Sequence, residues 1–250
     1  IESGYVHPDS AEEFRAMYAR LFAGVPYSEG VFRVRRSDGN GWWYEHIRYI
    51  NQYTIGGEPY SAIGIGQDVT DKQDLITAAQ TDLLTDVLNH NSAIDKIRSL
   101  ILSPNVRDFC ALYMIDVDHF KNVNDTMGHQ SGDKVLVNTA KQIKELFRAD
   151  DVVGRVGGDE FVAFVCGVPD IEIVKRKAEM IVSYVKTHSV VTVSEIPVSV
   201  SVGVAIFKAG ESFEELYKHA DIALYLAKEK GRNRFEFYTD SMEKGSASRC

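Results

Sequence analysis

Three groups of side chains in this 250-residue chain have the types and spacing for chemistry on phosphates. Met114-Ile-Asp-Val-Asp118 ends an apolar run with carboxylates at i and i+2, which on a strand lie on one side of the chain. That spacing suits a metal site, and it equally suits a plain strand-end turn, where Asp is common. Arg155-Val-Gly-Gly-Asp-Glu-Phe161 places two glycines ahead of two acids, so that backbone can approach a ligand while carboxylates stand beside it. As a bare string, Gly-Gly-Asp is also a tight turn. Both acidic strings lie at the ends of apolar strand-like runs, and neighbouring strands would bring Asp116, Asp159 and Glu160 together. Carboxylate oxygens converging without His or Cys suit Mg²⁺ or Mn²⁺. The third group is basic: Lys228, Lys230, Arg232 and Arg234 surround Gly231. Lys230 fits the C-terminal end of a helix dipole, whereas Lys228 and Arg232, four apart, could clamp phosphates opposite the acids. Metal carboxylates facing a cationic clamp describe a nucleoside triphosphate site.

These groups need rigid elements to hold them. Runs at Val31 to Arg36, Trp42 to Tyr53 and Tyr60 to Val69, separated by Gly-rich turn clusters, predict an antiparallel meander. Ahead of it, Phe14, Met17, Tyr18, Leu21 and Phe22 fall at helical spacing, and Gly24 stops that helix. Asp71 to Leu84 predicts a connecting helix; Val69, Ile76 and Leu83 lie seven apart, but Lys72 at a d-like position leaves the heptad short of a coiled coil. From residue 90 onward helix and strand alternate. Helices are expected at Ser92 to Leu102, Gly132 to Phe147, Ile171 to Thr187 and Ser212 to Lys228. Strands are expected at Phe109 to Val117, Val152 to Val156, Phe161 to Cys166, Val198 to Phe207 and Arg234 to Tyr238. Ser212-Phe-Glu-Glu215 is a capping box and Gly231 is a stop signal. The result is an α/β domain on a mixed sheet, with the doubly apolar run 109–117 at its centre.

Composition bounds the function. With 28 Lys+Arg against 36 Asp+Glu, the net charge is −8, which argues against sequence-independent binding of nucleic acid. Cys110, Cys166 and Cys250 show no C-x-x-C spacing, and two of them lie in apolar runs, so the chain reads as reduced and cytoplasmic. No apolar run reaches the ~18 residues of a membrane span, and the residues from Ile1 onward lack the basic and apolar regions expected of a signal peptide. Ile1 at the first position suggests a piece of something longer.

The motifs, taken in order, resemble those of GGDEF-domain diguanylate cyclases. They are Asp82-Leu-Leu-Thr-Asp-Val-Leu-Asn89, Asp116-Val-Asp-His-Phe-Lys-Asn-Val-Asn-Asp125, Gly128-His129, Gly132-Asp133, Gly157-Gly-Asp-Glu-Phe161, and Ala220 to Lys228 with Gly231-Arg-Asn233. The resemblance covers about residues 78 to 240. Arg35-Arg-Ser-Asp-Gly39 and Gly66-Gln-Asp-Val-Thr-Asp71 look like the end of a PAS sensor domain, only the last three strands of which are evident. The division implied is a partial PAS-like domain over 1–70, a connecting helix over 71–84, a cyclase domain over 85–240 and a tail over 241–250. The fold implied is a palm-like α+β domain, similar to adenylyl cyclases, with a mixed sheet flanked by helices.

The resemblance further implies that two GTP become cyclic di-GMP and two pyrophosphates across a two-fold homodimer. Asp116, Asp159 and the Val117 carbonyl correspond to metal ligands, and Glu160 to a metal ligand or general base. Lys121, Lys228 and Arg232 correspond to phosphate contacts, and Asn124 and Asp133 to guanine contacts. Guanine's N1–H and N2–H₂ suit a carboxylate acceptor, whereas adenine presents an acceptor at N1. Arg148-Ala-Asp-Asp151 fits the family's product-inhibition motif, with a further arginine replaced near Met180. His90 stands where the family usually has Arg. His119, His129, Trp42 and Trp43 are read as structural. The alternative is a catalytically inactive GGDEF module that serves as a receptor for GTP or cyclic di-GMP.

Overall fold

The computed structural model describes residues 4–36, 41–102, 109–188 and 198–242, which form two compact units, 1–79 and 80–250. In the first, helix α1 (Ala11–Phe22) lies on an antiparallel sheet of β1 (Tyr27–Arg35), β2 (Trp42–Tyr53) and β3 (Pro59–Asp68), in that order. Phe14 and Met17 pack with Phe32, Val34 and Ile47 in a small core, while Phe22, expected on the buried face, is 84% exposed. Trp43 packs against this core and Trp42 meets the His7 ring edge-on. A groove of about 870 Å³ runs between α1 and the sheet, lined by Tyr5, Tyr18, Glu45 and Tyr49 among others.

Helix α2 (Thr70–Gln80) stops four residues short of the expected 71–84 span. The reason is local: Asp82 accepts hydrogen bonds from the Thr85 N–H (3.0 Å) and hydroxyl (2.6 Å), Asp86 takes a left-handed φ of 55°, and Thr81 bridges back to Leu88. Asp at such a position offers the backbone a turn in place of another helical residue.

The second unit begins with α3 (His90–Ile101), capped by the Asn89 side chain. It is built on a five-stranded sheet ordered β5 (Val152–Arg155), β6 (Glu160–Val168), β4 (Phe109–Val117), β7 (Val200–Ile206), β8 (Phe235–Phe237). All pairs are antiparallel except β7 with β8, so the sheet is mixed. β4 is central and buried along nearly its whole length, which explains its apolar run on both faces. One face carries Tyr113, Ile115 and Phe161 against α5 (His129–Glu145) and α6 (Ile171–His188). The other carries Leu112, Met114 and Phe164 against α3 and α7 (Phe213–Glu229). Gly203 of β7 lets α7 approach backbone to backbone: a Cβ there would collide with the Ala220 carbonyl and the Leu224 N–H. Helix α4 (Phe120–Met127) has no counterpart among the expected elements, because its Asn and Asp content reads as turn.

The cysteines depart from expectation. Cys110 of β4 and Cys166 of β6 are joined by a disulfide, so the reading of an unpaired, reduced chain is corrected for these two. They lie 56 residues apart in sequence, and only the register of two adjacent strands sets them side by side. Among the described residues no helix is long and apolar enough to cross a membrane.

Candidate functional site

The register of β4 with β6 sets Asp116 directly opposite Glu160. The turn between β5 and β6 is closed by the Val156 and Gly157 N–H groups, which both donate to the Glu160 carbonyl (2.9 and 3.3 Å). It is fastened to β4 by the Val117 N–H donating to the Asp159 carbonyl (3.1 Å). Gly157 has a further reason to lack a side chain, since a Cβ there would sit 2.7 Å from a Glu160 carboxylate oxygen. The three acids named from sequence therefore meet at one end of the central strand pair.

Lys228, near the end of α7, reaches this cluster: its Nζ is 2.7 Å from Asp116 Oδ2. Burial, with Asp159 and Glu160 adding like charge, pushes the Asp116 carboxyl up to about 6 against the opposing pull of Lys228. A carboxylate disfavoured in this way gains from any added cation. Asp116, Glu160, Asp159 and the Val117 carbonyl offer only hard oxygen donors, and among the described residues no group of three or more His, Cys, Asp or Glu forms a ready metal cage. That set fits Mg²⁺, which keeps several waters and binds through one or two carboxylates plus substrate phosphates.

Asp118, the second acid of the 114–118 string, goes elsewhere. Its oxygens accept from the Ser199 and Ser201 hydroxyls (2.6 Å each) and from the Asn233 N–H (3.0 Å), so it is not one of the converging acids. Arg232 is exposed in the turn after α7, and Lys121 is exposed on the first turn of α4. Lys230 pairs with Glu236 at 2.7 Å. Asn124 of α4 rests on Gly132 of α5, where a Cβ would displace its side-chain oxygen, and this brings it beside exposed Asp133. His119 adopts φ 56° to start α4, and His90 Nδ1 lies 2.9 Å from the Val156 carbonyl.

Arg148 and Asp151 form the turn leaving α5: the Arg148 N–H donates to Asp151 Oδ2 (2.9 Å). They line a cavity of about 250 Å³ with Lys96 and Lys144. Lys177 of α6 stands behind them, donating to the Leu146 carbonyl (2.8 Å), 4.2 Å over the Phe147 ring and 3.9 Å from Asp151. Met180, one turn further along α6, is 44% exposed.

Sequence reasoning missed Arg155 as a functional residue. Its guanidinium donates to the Gly158 carbonyl from Nε (3.2 Å) and Nη2 (2.7 Å) and to Asp82 Oδ1 from Nη1 (3.0 Å). The signal available was an Arg two residues before the glycine pair and an Asp-x-x-Thr turn upstream to receive it.

Comparison with known proteins agrees with this architecture. The family described as "Diguanylate cyclase, GGDEF domain" matches residues 79–234. A diguanylate cyclase of Vibrio cholerae is 30% identical over 248 residues, covering 96% of this chain and 76% of that protein. The bifunctional diguanylate cyclase/cyclic di-GMP phosphodiesterase MucR of Pseudomonas aeruginosa is 35% identical over 174 residues, which is 68% of this chain and only 25% of MucR. The chain thus spans between a quarter and three quarters of these relatives. Among solved structures, the coiled coil and GGDEF domain of Caulobacter crescentus DgcB in complex with c-di-GMP superposes with a TM-score of 0.63 at 30% identity, covering 67% of this chain and 90% of that one. Pseudomonas aeruginosa SiaD, in complex with its activator SiaC, gives 0.61 at 34% identity, over 66% and 64%. The chain belongs to the GGDEF family of diguanylate cyclases.

Proposed function

We propose that this chain condenses two GTP into cyclic di-GMP and two pyrophosphates. The observation that carries the reading is the meeting of Asp116, Asp159 and Glu160 at one strand end with Lys228 drawn in at 2.7 Å. In the reaction a ribose 3′-oxygen attacks an α-phosphorus in line, a P–O bond forms, pyrophosphate leaves, and the exchange repeats to close the ring. Glu160 takes the 3′-hydroxyl proton. Asp116, Asp159 and the Val117 carbonyl hold Mg²⁺ or Mn²⁺, which when bound neutralises charge on the α-phosphate and the leaving group. Lys228 exchanges its partner Asp116 for a phosphate oxygen, and Lys121 and Arg232 complete the clamp. Asn124 and Asp133 accept the guanine edge, and Asp133 rejects adenine because it finds an acceptor at N1.

One chain presents one set of these groups, so two chains facing across a two-fold axis supply the two GTP. Arg148 and Asp151 bind cyclic di-GMP as an inhibitor. Residues 1–70 act as a PAS-like sensor, joined through α2, that alters how two chains pair. The test is incubation with GTP and Mg²⁺ while pyrophosphate and cyclic dinucleotide are measured. One pyrophosphate per GTP, a rate rising faster than linearly with protein concentration, and no product from ATP are expected. Absence of cyclic di-GMP at micromolar protein overturns the reading.

A further inference from the structure

The turn that carries Arg232 has an unusual backbone: Gly231 (φ 107°), Arg232 (φ 60°) and Asn233 (φ 48°) are three successive left-handed residues, two of them bearing side chains. Single non-glycine residues visit this region, but consecutive ones persist only when the surroundings over-determine them. Asn233 adds a second cost, because its side-chain Oδ1 is buried with no hydrogen-bond partner among the described residues. Something must hold this turn. The Arg232 N–H returns to the Ala227 carbonyl (3.1 Å) and the Gly231 N–H to the Lys228 carbonyl (3.3 Å), but both bonds stay within the end of α7. The Asn233 N–H ties the turn itself to another element, and its acceptor is Asp118 Oδ2.

Asp118 is built for that task. It is 4% exposed, and among the described residues no Lys, Arg or His pairs with it. Three donors consume its carboxylate: the Ser199 hydroxyl and Asn233 N–H on Oδ2, and the Ser201 hydroxyl on Oδ1. Its own N–H donates to the Ser199 carbonyl (2.9 Å), which fixes the side chain against β7. Two ties therefore join the end of β4 to the end of α7. One is the ion pair of Asp116 with Lys228, which in the proposed reaction gives way to a phosphate; the other is Asp118 with Asn233, which involves no residue of the proposed metal set or clamp.

We infer that Asp118 is a positioning residue that holds the 231–233 turn in its left-handed form, so that Arg232 stays presented to the triphosphate while Lys228 changes partners. This rests on the reading that Arg232 meets a phosphate, and the experiment separates the two claims. Asp118→Asn keeps the size of the side chain but leaves one acceptor oxygen for three donors. In the nucleotide-free protein, amide hydrogen exchange at Asn233 should speed up by about tenfold or more in this variant. With Mg²⁺ and α,β-methylene-GTP as the probe, Asp118→Asn should weaken binding about tenfold, and Arg232→Ala should cost far less in the Asp118→Asn background than in the parent. A residue that merely stabilises the fold would give additive losses instead.

Unchanged exchange at Asn233, or additive losses, overturns the role of Asp118. If Arg232→Ala alone leaves nucleotide binding unaltered while exchange at Asn233 still responds to Asp118→Asn, the phosphate role of Arg232 fails and the positioning of the turn stands. Should Asp118→Asn not fold, Ser199→Ala removes one of the hydroxyls that orient the carboxylate. Its exchange at Asn233 should then rise by several-fold, and no rise counts against the inference.

Discussion

Replacing Arg155 with Ala removes the side chain that fastens the Gly158 carbonyl of the β5–β6 turn to Asp82. The guanidinium spends two nitrogens on the single Gly158 carbonyl and one on Asp82, with Arg155 and Asp82 side chains 15% and 25% exposed. A charge-assisted bond to one carbonyl contributes about 2 kcal/mol, and an ion pair this close to solvent nearer ~1 kcal/mol, for a loss of about 2–3 kcal/mol. In a protein of this size that lowers the thermal midpoint by roughly 5–10 °C. The turn itself does not dissolve, because Val156 N–H, Gly157 N–H and Val117 N–H keep their bonds. Asp159 and Glu160 shift rather than disperse, and a displacement of ~1 Å at a reacting centre costs on the order of a hundredfold in rate. Arg155→Lys, with a single ammonium for two acceptors in different directions, should recover part of the stability and little of the turnover. Calorimetry with a cyclic di-GMP assay on the three proteins checks this. An Ala variant that melts within about 1 °C of the parent, or one that is destabilised yet turns over normally, refutes the clamp.

Other outcomes follow from the same contacts. Gly157→Ala, at a negative φ, should leave the urea midpoint nearly unchanged but displace the Glu160 carboxylate and abolish most turnover; full activity would show that Glu160 has room to spare. Gly203→Ala should instead destabilise by about 3 kcal/mol, since the added methyl meets α7 backbone rather than a flexible side chain, as chemical denaturation would register. Burial alone would raise the Asp82 carboxyl, but Thr85 and Arg155 outweigh it and hold it below the usual carboxylate range. A depressed folded pKa lends stability above the unfolded value that is lost as pH falls through the folded one, so Asp82→Asn should flatten the acid limb of a stability–pH curve below about pH 4. Thiol titration of the denatured, unreduced chain should find Cys110 and Cys166 unreactive until a reductant is added. Closing a loop of this length lends up to about 4 kcal/mol, so Cys166→Ser should unfold at lower urea.

What could be read from the sequence was whatever a single segment announces. The capping box at Ser212, the apolar run of β4 and the meander of the first unit are local patterns, and each forms as its pattern requires. The convergence of Asp116 with Glu160 was legible because both sit at strand ends, where register alone decides the neighbour. What escaped depends on pairings across long separations. Asp118 and Asp116 are identical residues two apart, and only the arrival of Ser199, Ser201 and Asn233 gives one a structural task. Arg155 was hidden because its partner lies 73 residues upstream, and Cys110 with Cys166 because a strand register, not a spacing, joins them. Helix α4 went unseen because its polar residues favour turns until its apolar side, with Val123 buried, packs onto the core.

The most direct test of the central claim is Glu160→Gln, which keeps the shape of the side chain and removes the charge and the basic oxygen. Cyclic di-GMP formation from GTP and Mg²⁺ should fall by at least about a hundredfold, while the thermal midpoint stays put and binding of α,β-methylene-GTP changes less than about tenfold. A variant that forms product at the parent rate would contradict the assignment of the Asp116, Asp159 and Glu160 cluster as the seat of phosphoryl transfer.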